Sequence, residues 1–446
     1  MARAKVSTVS AARWAAYQIL ARVEKENAYT SVLLPFYEEN LIAEDRALCH
    51  ELTLGVIRNK LLLDAIIENL TAKKLSKFDL PVLLALRLGA YQLRFMSRIP
   101  ARAAINESVE IVKQERKVSA ASFVNAILRR AEREADLDPV KDIADPLEKL
   151  SVAASHPLWL IKKWTEEFGF EKTEKLALAN NQVPPISFRA NRRNEKDLLR
   201  QLTEAGVEYS ASALVPSCYI ASKVNRKIYE LAEDGELALQ DEASQLVAHL
   251  VALKSGESFF DVCAAPGNKT TQIINSVPSR ESGLYAAGDL HQPRIDTLQK
   301  NLWKAQIESI KVRQYDAEKK LPFDPETFDT ILVDAPCSGT GTIRHNPEIR
   351  WSLEPGDITE LATKQKKILS NTASLLKKGG RLIYSTCSLE EEENEMVVAE
   401  FLRENSEFEI TGTNAPRELI TGRGFVRTFP QRDNTDGFFA AVLKKS

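Results

Sequence analysis

The chain of 446 residues is 44% hydrophobic and 27% charged, with a formal net charge of −2, which describes a globular chain with room for about three domains. No stretch reaches the length of a membrane span and Met1–Ser10 lacks an apolar signal segment, so the cytoplasm is the expected compartment and no membrane partner is expected. The five cysteines (Cys49, Cys218, Cys263, Cys337 and Cys387) form no CxxC pair and the five histidines no zinc pattern, which argues against a disulfide framework and a metal site.

Residues 1–130 hold 20 Lys and Arg against 13 Asp and Glu, a local basic excess that suits either a polyanion partner or an ordinary solvated helix surface. Apolar residues recur at helical spacing in Ala11–Val23, Asp45–Leu63 and Leu80–Phe95, with Pro35, Pro81 and Pro100 as boundaries, so 1–135 is expected to be an all-α domain. The acidic, proline-containing stretch Glu132–Glu148 opens a connecting region, 136–183. It turns helical around Trp159, Trp164 and Phe168, aromatics expected in a core rather than in base stacking. From 184 to 239, short strands around a helix (Ile186–Arg192, Glu195–Ala205, Val207–Ser210, Cys218–Ser222) indicate a small α+β module. Its Arg189, Arg192 and Arg193 suit either bound phosphates or a charged strand edge that resists pairing.

From 240 to 446 strands and helices alternate in the order that builds a mostly parallel sheet with right-handed crossovers. Ser258–Cys263 runs into AAPGNKTT, where Gly267 permits a tight turn and Lys269, Thr270 and Thr271 open a helix. The Walker pattern is absent, so this is a nucleotide-type loop of another kind. Leu284–Gly288 leads to Asp289, where an acid typically takes ribose hydroxyls. Ile310–Gln314 leads to Asp316, Thr330–Val333 to Asp334 and Cys337 in DAPCSGTG, and Arg381–Ser385 to Cys387. A loop, three acids and two cysteines thus arrive at one sheet edge, in the order that a nucleoside-bearing cofactor requires, with its reacting end near the last. The acidic run Glu390–Glu393 with Glu395 reads as favourable charge at a helix start and is assigned no chemistry.

DVCAAPGNKTT, the Asp289 segment, DAPCSGTG and YSTCS, with QDEAS at 240–244 and DGFFAA at 436–441, resemble the Nol1/Nop2/Sun family of RNA cytosine-C5 methyltransferases. ALCHELTLGVIRNK, INESVEIVK and FVNAILRR resemble a NusB-type RNA-binding domain, and RHNPEIRW (344–351) is similar to the bacterial branch that acts on small-subunit ribosomal RNA. The resemblance implies the fold class: an α/β, Rossmann-like, S-adenosyl-L-methionine-dependent methyltransferase domain with a mostly parallel sheet. A small α+β RNA-recognition-like module and an all-α NusB-like domain would precede it. Cofactor contacts are implied for Cys263, Ala264, Ala265, Pro266, Gly267, Asn268 and Lys269, with Asp289 at the ribose, Asp316 at the adenine and Asp334 at the methionine end. Arg294 is a further candidate. The expected partner is single-stranded or looped small-subunit ribosomal RNA, bound by a monomer, with no DNA partner.

Carbon 5 of cytosine is a poor nucleophile, so a thiolate must first add at carbon 6. That needs an acid near N3, where Asp334 is placed, and a group that helps expel the thiolate afterwards. Spacing leaves open which cysteine attacks, since a Pro-Cys pair serves as nucleophile in DNA cytosine-C5 methyltransferases. The resemblance implies Cys387 as nucleophile and Cys337 as the residue that assists release, with Cys263 lining the cofactor loop and Cys49 and Cys218 buried and inert. Two cysteines at one edge argue against methylation of an exocyclic amine. One departure from the family pattern is Asn268, which stands where a second glycine is usual; Asn tolerates left-handed backbone, so cofactor affinity is the property it would alter. That departure supports an alternative, a ribosomal RNA-binding assembly factor with an impaired methyltransferase domain.

Overall fold

The computed structural model describes residues 9–192, 194–278 and 283–446, which form two compact units. The first comprises Met1–Gln182 and His345–Ser352, the second Val183–Arg344 and Leu353–Ser446.

Among the described residues, the first unit is all helical. Its main core is drawn from the inward faces of Ala11–Glu26, Ala43–Arg58, Lys60–Thr71, Leu80–Phe95, Ala101–Gln114 and Ala121–Arg133, where Ile19, Leu52, Leu63, Leu84, Ile105, Val112 and Val124 are fully buried. The single helix expected over Asp45–Leu63 is two. Asn59 breaks it: its φ of −110° and ψ of 21° leave the helical region, and its side-chain amide and backbone N–H both donate to Gly55 O. Pro35 is not a boundary either, because it lies inside Thr30–Glu38.

Residues 136–183, expected as a helical connecting region, hold the helices Pro146–Ala153, Leu158–Phe168 and Phe170–Ala179, and up to Gln182 they belong to this unit. Asp145 caps the first of them, accepting from Leu147 N and Glu148 N. Of the three aromatics placed there, only Trp164 is fully buried, edge-on to His156. The excursion His345–Ser352 also packs here. Buried Arg350 donates to Ser155 O (2.8 Å) and Asn181 Oδ1 (2.9 Å), and Glu348 accepts from Thr30 N and Oγ1.

The second unit holds two sheets. The smaller is antiparallel, ordered β2-β3-β1-β4, from β1 (Ile186–Ala190), β2 (Glu208–Ala211), β3 (Tyr219–Lys223) and β4 (Leu237–Leu239). Phe188, Leu198, Leu202, Ile228 and Leu237 form its core against the helices Glu195–Glu204 and Arg226–Glu233. The larger sheet comprises β5 (Phe259–Asp261), β6 (Tyr285–Asp289), β7 (Lys311–Gln314), β8 (Phe328–Asp334), β9 (Leu376–Thr386), β10 (Phe408–Ile410), β11 (Val426–Thr428) and β12 (Phe438–Lys445). Its order is β10-β12-β9-β8-β5-β6-β7, with β11 paired to β12. β5 to β9 pair in parallel and β12 runs antiparallel to β9.

The chain runs from β5 outward to β6 and β7 and returns on the other side through β8 and β9, so the order reverses between β5 and β8. A crevice for a ligand lies at the carboxyl ends of strands at such a reversal. Buried side chains on both faces, such as Phe259, Phe260, Ile331 and Leu332, hold the central strands in place.

In the first unit Arg87 is buried and meets Asp64 in a fork, Nε to Oδ1 at 2.7 Å and Nη2 to Oδ2 at 2.8 Å, with Nη1 on Glu24 at 3.0 Å. Removing one partner strands a buried charge. Arg87→Met is expected to destabilise the helical unit by about 3 kcal/mol, and Asp64→Leu added to it to recover much of that loss, in urea unfolding followed by far-UV circular dichroism. A double variant no more stable than Arg87→Met would contradict the pairing.

Candidate active site

The loop after β5 is shaped by Gly267, whose φ of +102° suits glycine and whose site would press a Cβ to 2.7 Å from Leu298 Cδ1. Asn268 begins the helix Asn268–Ser276 without a positive φ, so the backbone there asks for no second glycine. The left-handed tolerance expected of Asn268 is therefore unused. Around the loop, Arg294 Nη2 donates to Ala265 O (2.6 Å), Asn301 Nδ2 to Pro266 O (2.9 Å) and the Ala264 N–H to Gly288 O (2.9 Å).

Arg189 reaches the same loop from β1. Its Nη2 donates to Asn268 O (2.7 Å) and Thr271 Oγ1 (2.9 Å), its Nε to Gln240 Oε1 (2.9 Å), and burial lowers its pKa to about 9. Arg192 donates to Lys304 O, Asp234 O and Glu236. These two arginines are thus committed to the protein; Arg193 lies outside the described residues.

Asp289 ends β6 with its side chain buried, accepting from Leu290 N at 2.9 Å and lying 3.4 Å from Arg294 Nη2. Asp316 follows β7, and the Glu318 N–H, then Lys319, lower its pKa. Asp261, at the end of β5, carries one oxygen bonded by Thr270 Oγ1 (2.6 Å) and a second, buried oxygen with no hydrogen-bond partner among the described residues. Burial, reinforced by the charges of Asp334 and Asp289, pushes its pKa up to about 7. A positive-φ glycine at a helix start, a buried acid one strand over and an unpartnered buried oxygen are a donor and acceptor set that fits a nucleoside cofactor with a charged amino-acid end.

Asp334 sits at the end of β8 opposite Ser385 of β9. Ser385 Oγ donates to one carboxylate oxygen at 2.8 Å and Lys269 Nζ to the other at 2.7 Å. Burial opposes the Lys269 charge, but Asp334 outweighs it and the ammonium pKa is raised; the Cys387 sulfur adds to the same effect. The ammonium also lies 5.0 Å from the Phe438 ring, contributed by the DGFF segment.

The sulfurs of Cys337 and Cys387 are 3.3 Å apart. The hydrogen bond with Cys387, then burial, holds the Cys337 thiol well above its ordinary pKa, with the negative charges of Cys387 and Glu393 adding to the rise. Burial raises the Cys263 pKa as well, so it stays a thiol, and buried Cys49 and Cys218 are each pushed up to about 12. Gly341 closes the site, where a Cβ would meet Gly437 O at 1.9 Å. Its N–H donates to Cys387 O (3.0 Å) and its carbonyl accepts from the Gly437 N–H (2.8 Å).

Three sequence profiles match the chain: 16S rRNA methyltransferase RsmB/F over 248–444, NusB over 10–133, and the ferredoxin-like domain of RsmF/B-type methyltransferases over 156–224. The last begins ahead of Val183, where the second unit starts. The probable ribosomal RNA small subunit methyltransferase B of Bacillus subtilis is 35% identical over 440 residues, covering 96% of this chain and 98% of that one. The chain belongs to this methyltransferase family. The enzyme of the same name from Escherichia coli O1:K1 is 32% identical over 96% of this chain and 97% of its own.

Among solved structures, that of PH0851 matches with a TM-score of 0.82 at 26% identity, covering 98% of this chain and 99% of that one. NSun6 from Pyrococcus horikoshii, at 20% identity and a TM-score of 0.55 over 64% of this chain and 97% of its own, shares the fold. The chain is accordingly a small-subunit ribosomal RNA methyltransferase, its methyl donor is S-adenosyl-L-methionine, and its N-terminal helices are a NusB domain.

Ser385 and the link from Lys269 to Asp334 carry no local signal in the sequence, whereas the QDEAS and DGFF segments are visible there as motifs. Glu393, expected only as favourable charge at a helix start with no chemistry assigned, belongs to a run whose members spacing alone cannot tell apart.

Because the folded-state pKa of Asp261 is raised, the stability it carries is complete below about pH 4 and is lost as pH rises through about 7. Asp261→Asn is expected to shrink the loss of stability between pH 5 and pH 8 by about 2 kcal/mol, read from urea midpoints at the two pH values. Equal pH dependence in both proteins would refute the buried, raised acid.

Proposed function

We propose that the chain methylates carbon 5 of a cytosine in single-stranded or looped small-subunit ribosomal RNA through a covalent Cys387 adduct. The observation that carries this reading is the pair of sulfurs at 3.3 Å beside the braced carboxylate of Asp334. S-adenosyl-L-methionine, held by Cys263 to Lys269 with Asp289 at its ribose, Asp316 at its adenine and Asp334 at its amino-acid end, supplies the methyl group to carbon 5.

The Cys387 sulfur adds to carbon 6, and the ring electrons shift to make carbon 5 nucleophilic. Asp334, held by Lys269 and Ser385, interacts with N3 as charge develops on the ring. After transfer the carbon-5 proton passes to water, its bonding pair re-forms the carbon 5–carbon 6 double bond, and the Cys387 thiolate departs with the carbon 6–sulfur pair. Cys337 suits that last step because its raised pKa keeps a proton beside the departing sulfur. The resemblance to the Nol1/Nop2/Sun family is what assigns attack to Cys387 rather than to the Pro-Cys position. The target base must leave its stack to reach the pocket, which favours unpaired RNA.

Cys387→Ala is expected to lower methyl transfer to ribosomal RNA by roughly 10⁴-fold or more, and Cys337→Ala to trap a protein–RNA adduct stable to denaturing electrophoresis. Full turnover in the Cys387 variant would end the nucleophile assignment. Bisulfite mapping of ribosomal RNA from cells with and without the protein tests both the atom and the site of modification.

A further inference from the structure

Both cysteine loops are tied to one buried side chain, Glu393. It lies on the single turn Glu391–Glu393 that follows β9 and is fully buried. One oxygen accepts from the Ser338 N–H at 2.9 Å and from Gln365 Nε2 at 2.9 Å. The other accepts from Ser388 Oγ at 2.5 Å and from Ser338 Oγ in a short contact. Ser338 directly follows Cys337 and Ser388 directly follows Cys387, so the carboxylate holds the residue after each sulfur-bearing one.

The support extends outward. Tyr384 OH donates to Glu393 O (2.6 Å), Gln365 Nε2 also donates to Pro336 O (2.9 Å), and the two serine hydroxyls lie 3.1 Å apart. Taking a carboxylate out of water is costly, and an apolar side chain would fill the same space at no such cost. Directed hydrogen bonds supply what apolar packing lacks: they fix position and angle on both loops at once.

We infer that Glu393 is a positioning residue that sets the spacing of Cys337 and Cys387 and thereby governs release of the methylated base. The inference rests on the carbon-5 reading above and extends it. Without the carboxylate, Ser338 and Ser388 lose their shared acceptor, the two loops separate, and Cys337 no longer stands beside the departing sulfur. The negative charge of Glu393 is also the smallest of the causes that raise the Cys337 pKa, after the hydrogen bond with Cys387, burial and the Cys387 charge, so what its loss chiefly removes is placement.

Dibromobimane, which becomes fluorescent when it bridges two thiols, reads the sulfur pair without RNA, with Cys337→Ala as the control that abolishes the signal. Glu393→Ala is expected to slow bridging about tenfold to a hundredfold and to leave the protein–RNA adduct unreleased, with S-adenosyl-L-methionine affinity by calorimetry unchanged. Glu393→Gln keeps an acceptor for the Ser338 N–H and Gln365 and is expected to fall between the wild type and the Ala variant. Bridging and release at wild-type rates in the Ala variant would overturn the inference. If that variant no longer binds cofactor, the Gln variant decides, and wild-type bridging and release there overturn it equally. Slowed bridging in a protein whose RNA product carries its methyl elsewhere than carbon 5 would uphold the spacing role and defeat the carbon-5 reading.

Discussion

The parallel pairing of β8 with β9 is the constraint on which the site depends. Its register sets Val333 opposite Tyr384 and Asp334 opposite Ser385, so both strands end at the same height. Cys337 and Cys387, 50 residues apart in the chain, then emerge side by side. Ile331 with Leu382 and Leu332 with Ile383 fill both faces of this pair, and a slip of one residue would turn every one of them to the wrong side. The hydrophobic core thus sets the geometry of the chemistry, with the polar network around Asp334 and Glu393 trimming it.

Around that pair the second unit is braced by polar contacts between segments distant in sequence. Arg189 carries the small sheet onto the start of the cofactor-loop helix, Lys269 joins that helix to Asp334, and the Gly437 N–H reaches Gly341 O. The donors of Arg189 are spent within the protein, so basic residues in the ferredoxin-like domain are not automatically RNA contacts. The loop itself depends on one positive-φ residue, Gly267, and tolerates Asn268 because helix has already begun there.

Much of this was legible in the sequence where periodicity is strong. The apolar spacing of Leu80–Phe95 matches the helix residue for residue, and the strand ends carrying Asp289, Asp316, Asp334 and Cys387 fall within a few residues of where the pattern puts them. The structure departs from the local pattern where packing outweighs a local feature. Asn59 divides what looked like one helix, and Pro35 sits within a helix although proline ordinarily marks an end. β4, β10, β11 and β12 went unread because short or doubly buried strands lack a clean alternation.

By itself, the sequence determined the alternating architecture, the order of loop, acids and cysteines along it, and the family to which these belong. Periodicity and motif spacing are local properties, and strand ends in a parallel sheet fall on one edge whatever the details. Which acids matter within that order was decided by tertiary structure alone. Glu391 is exposed and Glu393 fully buried, though both belong to one acidic run. The difference arises because Ser338, Gln365 and Ser388 converge on a single point, and their convergence is created by strand pairing that no local spacing encodes.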